Sequence, residues 1–277
     1  MRSVAGQFLL ESWLVPFIVA GLITYPSRWS DQRLVRLPIM TAALIGAVGA
    51  TYILAFGWPA WTQPSARQKI LLAPFLTVAV WLISDQRWRR LGFVVALLLP
   101  VIWIAMPLLL RGLPEDDLPA LLTVFLPVAI GLWSGYRHES HLALPRDQGV
   151  MLVAFALGLT GVAIFAQTFS LAALSLALAA SLTAISMVGR MPVAPSILLA
   201  AGSMLLGLAT AMTLYSDASR PALFMLALVA IADILTDGLS RHLTKRWRIC
   251  FLGLCCALPT ALAIAIARID AGPFSLY

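Results

Sequence analysis

Charge is what this chain lacks most. Only 11% of its 277 residues are charged, against about 25% in a soluble domain, so the polar surface needed to face water on all sides is missing. Cysteine is scarce too. Cys250, Cys255 and Cys256 all fall in the last hydrophobic stretch, without the spacing of a CxxC or Cys/His zinc site, which excludes a disulfide framework and leaves them as apolar packing residues. Histidine is as rare. His138 and His141 flank Glu139 in the stretch GYRHESHLALPRD, a spacing one residue short of the i,i+4 pair that a helical zinc site uses. No phosphate-binding glycine loop, serine-elbow motif or haem-type histidine pair is present.

What is abundant is apolar sequence, at 61% of residues with a mean hydropathy of +0.93. Runs of about 17–25 apolar residues cross a bilayer as helices. Ten such runs are predicted, at roughly 5–25, 37–58, 69–84, 91–110, 118–135, 149–168, 170–189, 194–215, 221–240 and 249–267. The expected fold is therefore all-α: a polytopic transmembrane bundle of about ten spans forming a single integral membrane domain over residues 1–277. With five spans in each half, the second half enters from the opposite side, which is the topology of two inverted five-helix halves. The first run has one preceding cation, Arg2, contains Glu11, and is followed by Arg28, Arg33 and Arg36. A cleaved signal peptide has the reverse flank order, so this run is read as a retained helix.

The net charge of +7 is spread over short connections between apolar runs. That placement suits topology determinants meeting anionic lipid headgroups and argues against a nucleic-acid surface. Alternate connections hold thirteen of the 19 Lys and Arg residues, and the opposite set holds six together with the acidic Glu115, Asp116 and Asp117. The excess side is expected to be cytoplasmic. This places the chain in a cytoplasmic (inner) membrane with both termini outside the cytoplasm.

Pro16, Pro74, Pro100, Pro107 and Pro127 lie inside predicted spans. Each removes a helix hydrogen bond, and neighbouring helices or waters must re-satisfy the freed carbonyl. The seventh run carries two small-residue stripes, Ala173–Ala177–Ser181 and Ser175–Ala179–Thr183, predicting a central, closely packed helix. Gly158 with Gly161, and Gly202 with Gly207, are expected to admit close neighbours in the sixth and eighth runs.

The chemistry is expected at the end of the ninth run. Asp233 and Asp237 are the acidic pair inside a predicted span, four residues apart and hence on one helix face, and Arg241 follows four residues later. Intramembrane acids are functional candidates by default. Asp233, Asp237 and Arg241 are thus the candidate substrate-binding residues. The structural alternative is an i,i+4 ion pair between Asp237 and Arg241. Asp233-Ile-Leu-Thr-Asp237 resembles the DxxxD spacing with which membrane prenyltransferases hold magnesium and pyrophosphate. Asp237-Gly-Leu-Ser-Arg241 partly resembles the core of the CDP-alcohol phosphotransferases. Both families use a second aspartate-rich helix, which this chain does not contain, so no metal site is assigned and neither family is inferred. Glu11 is a further acid within a span, and Asp85 ends one beside Arg87.

Three functions fit these residues. The first is a transporter or flippase of a small or lipid-linked solute, the second a membrane-embedded transferase acting on a lipid-linked substrate, and the third a non-catalytic assembly subunit. The cofactor, like the substrate, is unknown from the sequence.

Overall fold

A computed structural model describes residues 4–26, 33–59, 64–83, 89–112, 117–139, 147–189, 195–232, 234 and 245–272. Helices cover these residues, and no strand occurs among them. Helix α1 runs continuously through Val4–Leu9, a π-helical turn Leu10–Leu14, and Val15–Thr24. There follow α2 (Arg33–Phe56), α3 (Ala66–Ile83), α4 (Arg89–Arg111) and α5 (Asp117–Glu139). The second half contributes α6 (Asp147–Phe165), α7 (Phe169–Gly189), α8 (Pro195–Tyr215), α9 (Arg220–Ala227, continued by the 3-10 turn Leu228–Ile231) and α10 (Lys245–Asp270).

The protein is an all-α bundle with seven helices long and apolar enough to cross a membrane among the described residues. These are α1, α2, α4, α5, α7, α8 and α10. The remaining three are not among them: α3 carries Arg67 and Lys69 in its first turn, the apolar stretch of α6 is shorter at Gly149–Phe165, and the described apolar stretch of α9 is Arg220–Ile231, with most of the rest of its expected span outside the described residues.

The bundle is organised around α8, whose span is 94% buried by its neighbours. Helices α2, α3, α4 and α5 surround it together with α6, α7 and α9. Helix α7, 78% buried, is the next most enclosed and packs against α1, α2 and α6. Its small-residue stripes do what the sequence predicts: Ala177, Ala179 and Ser181 are fully buried. Several hydroxyls on these two helices fold back on their own backbones. Ser175, Ser181 and Thr183 donate to Leu171, Ala177 and Ala179, and Ser203 and Thr213 donate to Ala200 and Ala209. Each hydroxyl is thereby satisfied without a partner helix, and its carbon side faces the packing.

Glycines set the closest approaches. A Cβ at Gly161 would lie 2.6 Å from Ile264 of α10, one at Gly202 2.7 Å from Leu132 of α5, and one at Gly207 3.1 Å from Ile104 of α4. At Gly158 it would overlap the end of the Leu226 side chain of α9. Packing repeats between the halves only in part. The α1–α2 contact is matched by α6–α7, but α6 also packs broadly on α10, and the corresponding α1–α5 pair has no comparable contact among the described residues.

Contacts between helix ends tie the bundle together. The start of α3 meets the end of α2, where Arg67 lies over the Phe56 ring at 5.2 Å. At the start of α9, Arg220 pairs with Asp117 at the start of α5 (2.6 Å), and Ser219 donates to Asp270 at the end of α10.

The α6–α7 turn shows how little sequence a reversal needs. Gln167 adopts a left-handed conformation (φ 56°), its N–H bonds the Ile164 carbonyl, and the Thr168 N–H bonds the Ala163 carbonyl at 2.9 Å. This is a Schellman closure. The Thr168 carbonyl then accepts from Leu171 and Ala172, opening α7. A left-handed non-glycine residue costs about 1–2 kcal/mol, partly offset by the greater freedom of glycine in the unfolded chain. Gln167→Gly is therefore expected to stabilise by about 0.5–1 kcal/mol, read as a rise of about 1–3 °C in thermal melting. A lowered melting temperature would show that the exposed Gln167 side chain contributes more than its backbone costs.

Candidate functional site

Asp233, Asp237 and Arg241 lie outside the described residues. The structure does describe the helix that leads to the first of them. Ser219 caps α9 by accepting the Ala222 N–H at 3.3 Å, and Pro221 occupies the first turn, where no N–H is needed. The Arg220–Asp117 and Ser219–Asp270 contacts fix this end to α5 and α10. From there α9 presents Ala222, Leu223, Leu226 and Ala227 to the interior.

At Leu228 the helix tightens. The Leu228 N–H reaches the Met225 carbonyl and the Ala232 N–H reaches Val229, both 3-10 bonds. Short 3-10 stretches inside helices mark hinges or local strain. The neighbour here is α5, which approaches so closely that a Cβ on Gly131 would overlap the Ala230 carbonyl. Ala230 and Ala232 are both 2% exposed. The break is thus a tightly packed backbone-to-backbone contact, two residues before Asp233 in sequence.

Proline-freed carbonyls form a second set of polar contacts, and the expectation that neighbouring helices re-satisfy them is met at Pro107. Pro107 of α4 cannot donate to Trp103, whose carbonyl is one helical turn earlier. Lys69 of α3 takes its place, its Nζ donating to the Trp103 oxygen at 2.8 Å with the ammonium 5.9 Å from the Trp103 ring centroid. The adjacent Ile104 carbonyl accepts from the Tyr215 hydroxyl of α8 at 2.9 Å. Three helices therefore converge on one turn of α4. In α1 the Val15 N–H bonds Leu10 in π register, and the next donor in that register would be Pro16, which has none. The Glu11 carbonyl is left over, and the Thr51 hydroxyl of α2 lies 3.4 Å from it, shared with the Ala47 carbonyl of its own helix at 3.2 Å. The Glu11 carboxylate accepts from Gln7 at 2.9 Å.

Sequence reasoning assigned Lys69 to topology only, because its partner is 34 residues away. Two other polar features were also missed. Ser65 and Gln68 form a capping box in which Gln68 accepts the Ser65 N–H at 2.8 Å, starting α3 before its apolar run. Thr41 of α2 donates to Ser196 of α8 at 2.9 Å in the buried interior.

Among the described residues no group of three or more His, Cys, Asp or Glu side chains could hold a metal ion. Asp85 and His141 lie outside the described residues, as do the side chains of His138 and Glu139. A shallow groove too narrow to hold a water molecule lies between α5 and α8, lined by Leu121, Val124, Phe125, Leu206, Ala209, Thr210 and Thr213. It is an apolar surface feature, since the Thr213 hydroxyl is turned back to Ala209. The chain matches no protein-family model and no curated protein.

Proposed function

We propose that this polytopic membrane protein is a transporter or flippase of a small or lipid-linked solute, with the end of α9 that carries Asp233 and Asp237 on the substrate or proton path and Arg241 at its mouth. One observation carries the reading: α9 departs from α-helical geometry at Leu228–Ile231, immediately before its intramembrane acids. Interrupted helices that meet polar residues within the bilayer are the recurring binding element of secondary transporters. The 3-10 turn ends about 20 Å along the helix axis from Arg220, well inside a hydrocarbon core of about 30 Å. Ser175, Ser181, Ser203 and Thr213 of the central pair α7 and α8 are by contrast spent on their own helices.

Asp233→Asn is expected to abolish activity at unchanged membrane abundance, and Asp237→Asn to reduce it in part. The measurement is complementation of cells lacking the chain, with immunoblotting of the membrane fraction. Full complementation by Asp233→Asn removes the path from α9. Loss in both variants together with a magnesium requirement in membranes favours the transferase instead.

The same proposal places the chain in a cytoplasmic membrane, both termini outside, with the basic connections at 26–36, 85–90, 136–148 and 241–248 against anionic headgroups. Single cysteines in these connections, on a background without Cys250, Cys255 and Cys256, are expected to resist an impermeant thiol reagent in intact cells. Labelling of a cysteine at position 142 from outside overturns this topology.

A further inference from the structure

The seam between α5 and α9 is held differently at its two ends. At Gly131 the contact is backbone on backbone: an added Cβ would overlap the Ala230 carbonyl, and Ala230 is 2% exposed. About 20 Å away along α5, the seam is closed by a side-chain pair, the Arg220 guanidinium on the Asp117 carboxylate at 2.6 Å. Water reaches that pair, with 49% of the Arg220 side chain and 15% of the Asp117 side chain exposed. Water and salt weaken such a pair, whereas the Gly131–Ala230 contact yields only when a helix shifts as a whole. Between the two points α9 turns Ala222, Leu223, Leu226 and Ala227 to the interior, apolar side chains each at most 1% exposed. The seam is therefore shut in this structure, by a fixed point at one end and a weak polar tie at the other.

We propose that the Arg220–Ala227 segment of α9 is a gate, latched by Arg220 and Asp117 and hinged at the 3-10 turn Leu228–Ile231 where it rests on Gly131. The inference rests on the reading of α9 as the substrate path, and it adds how that path is closed from the Arg220 end. Release of the latch lets the segment swing away from α5, and the seam then admits water past Leu223 towards the acids that follow the turn. The apolar side chains in the seam oppose this only weakly, because helix contacts within a bilayer lack a hydrophobic drive and lipid tails replace them. The 3-10 turn supplies the bend, since helical hydrogen bonding already changes register there. The Ser219–Asp270 contact sets the direction: it keeps α9 with α10 while the seam with α5 opens. Because the latch is a pair of opposite charges in reach of water, salt favours the open gate.

The test is the rate at which a water-soluble maleimide labels Leu223→Cys, in the full chain without Cys250, Cys255 and Cys256, held in phosphatidylcholine nanodiscs. No substrate is needed, so the result stands apart from complementation by Asp233→Asn: the gate can fail while the path survives, and the reverse. Arg220→Gln is expected to speed labelling about fivefold, the population change that loss of an exposed ion pair gives. Added salt should speed labelling in the parent and not in Arg220→Gln, because only the parent has a latch to screen. Met212→Cys, as deeply buried and at the same remove from the α8–α9 connection, should be unchanged throughout. Equal rates with and without Arg220→Gln overturn the gate, as does a salt response that Arg220→Gln leaves intact. An equal rise at Met212→Cys overturns it too, since that would mean a loosened bundle. Where Arg220→Gln fails to fold, Asp117→Asn breaks the same pair from α5 and is read in the same way.

Discussion

Gly131→Ala is expected to destabilise the protein more than any other single methyl group added to it. The new Cβ would overlap the carbonyl carbon and oxygen of Ala230, and these are backbone atoms of a turn packed at 2% exposure. A flexible side chain can swing away, but this backbone cannot move without shifting α5 or α9 as a whole. Overpacking of this kind costs about 1–3 kcal/mol, and the rigidity of the neighbour puts Gly131→Ala at about 3 kcal/mol. Gly158→Ala meets only the tip of Leu226 and should cost less. Gly253→Ala in α10 meets nothing within 4 Å and should gain about 1 kcal/mol from helix propensity. The order is readable by thermal melting in detergent. Equal stability of Gly131→Ala and the parent would mean that the α5–α9 contact is looser than described. The same substitution bears on function, because the turn it would displace immediately precedes Asp233 in sequence.

Much of this architecture is legible from hydropathy, and the reason is the bilayer itself: with no water in the hydrocarbon core, long apolar runs can only be helices. Each of the ten runs overlaps one of the helices described. Boundaries slip where polar chemistry overrides hydropathy, as at α3, which the Ser65–Gln68 capping box starts before the first apolar residue. The depth of a helix in the bundle is harder to read. The small-residue stripes of α7 announce its packing, but α8 is the more enclosed helix, and its Leu-rich sequence looks no different from a lipid-facing one. Enclosure depends on how many neighbours surround a helix, and that is a property of the other nine.

Polar partners were the least legible. Pro107 tells a reader that the Trp103 carbonyl needs a donor, but not that Lys69 supplies it. Gly131 sits among the Pro- and Trp-containing residues of α5, where nothing marks the approach of Ala230. The candidate acids stand differently, since Asp233, Asp237 and Arg241 fall outside the described residues. What the structure adds there is the broken helix that leads to them.

The Lys69–Trp103 contact makes a prediction that a generic salt or packing effect would not. Lys69→Leu should destabilise by about 2–3 kcal/mol, because it removes the donor and leaves a carbonyl unsatisfied inside the bundle. Pro107→Leu restores an N–H one turn beyond Trp103 and removes the ring that crowds its carbonyl. Alone it should be close to neutral, since Lys69 already serves that oxygen at 2.8 Å. In the double variant the new backbone N–H should take the place of the lost ammonium, so the pair should recover most of what Lys69→Leu loses. The expected coupling is about 1–2 kcal/mol, measured as melting or denaturant midpoints of the four proteins in one detergent. Simple additivity would show that Lys69 stabilises through its hydrocarbon stem or its position at the membrane face. Recovery would show that the lysine is there because the proline is, one helix supplying the hydrogen bond that another cannot make for itself.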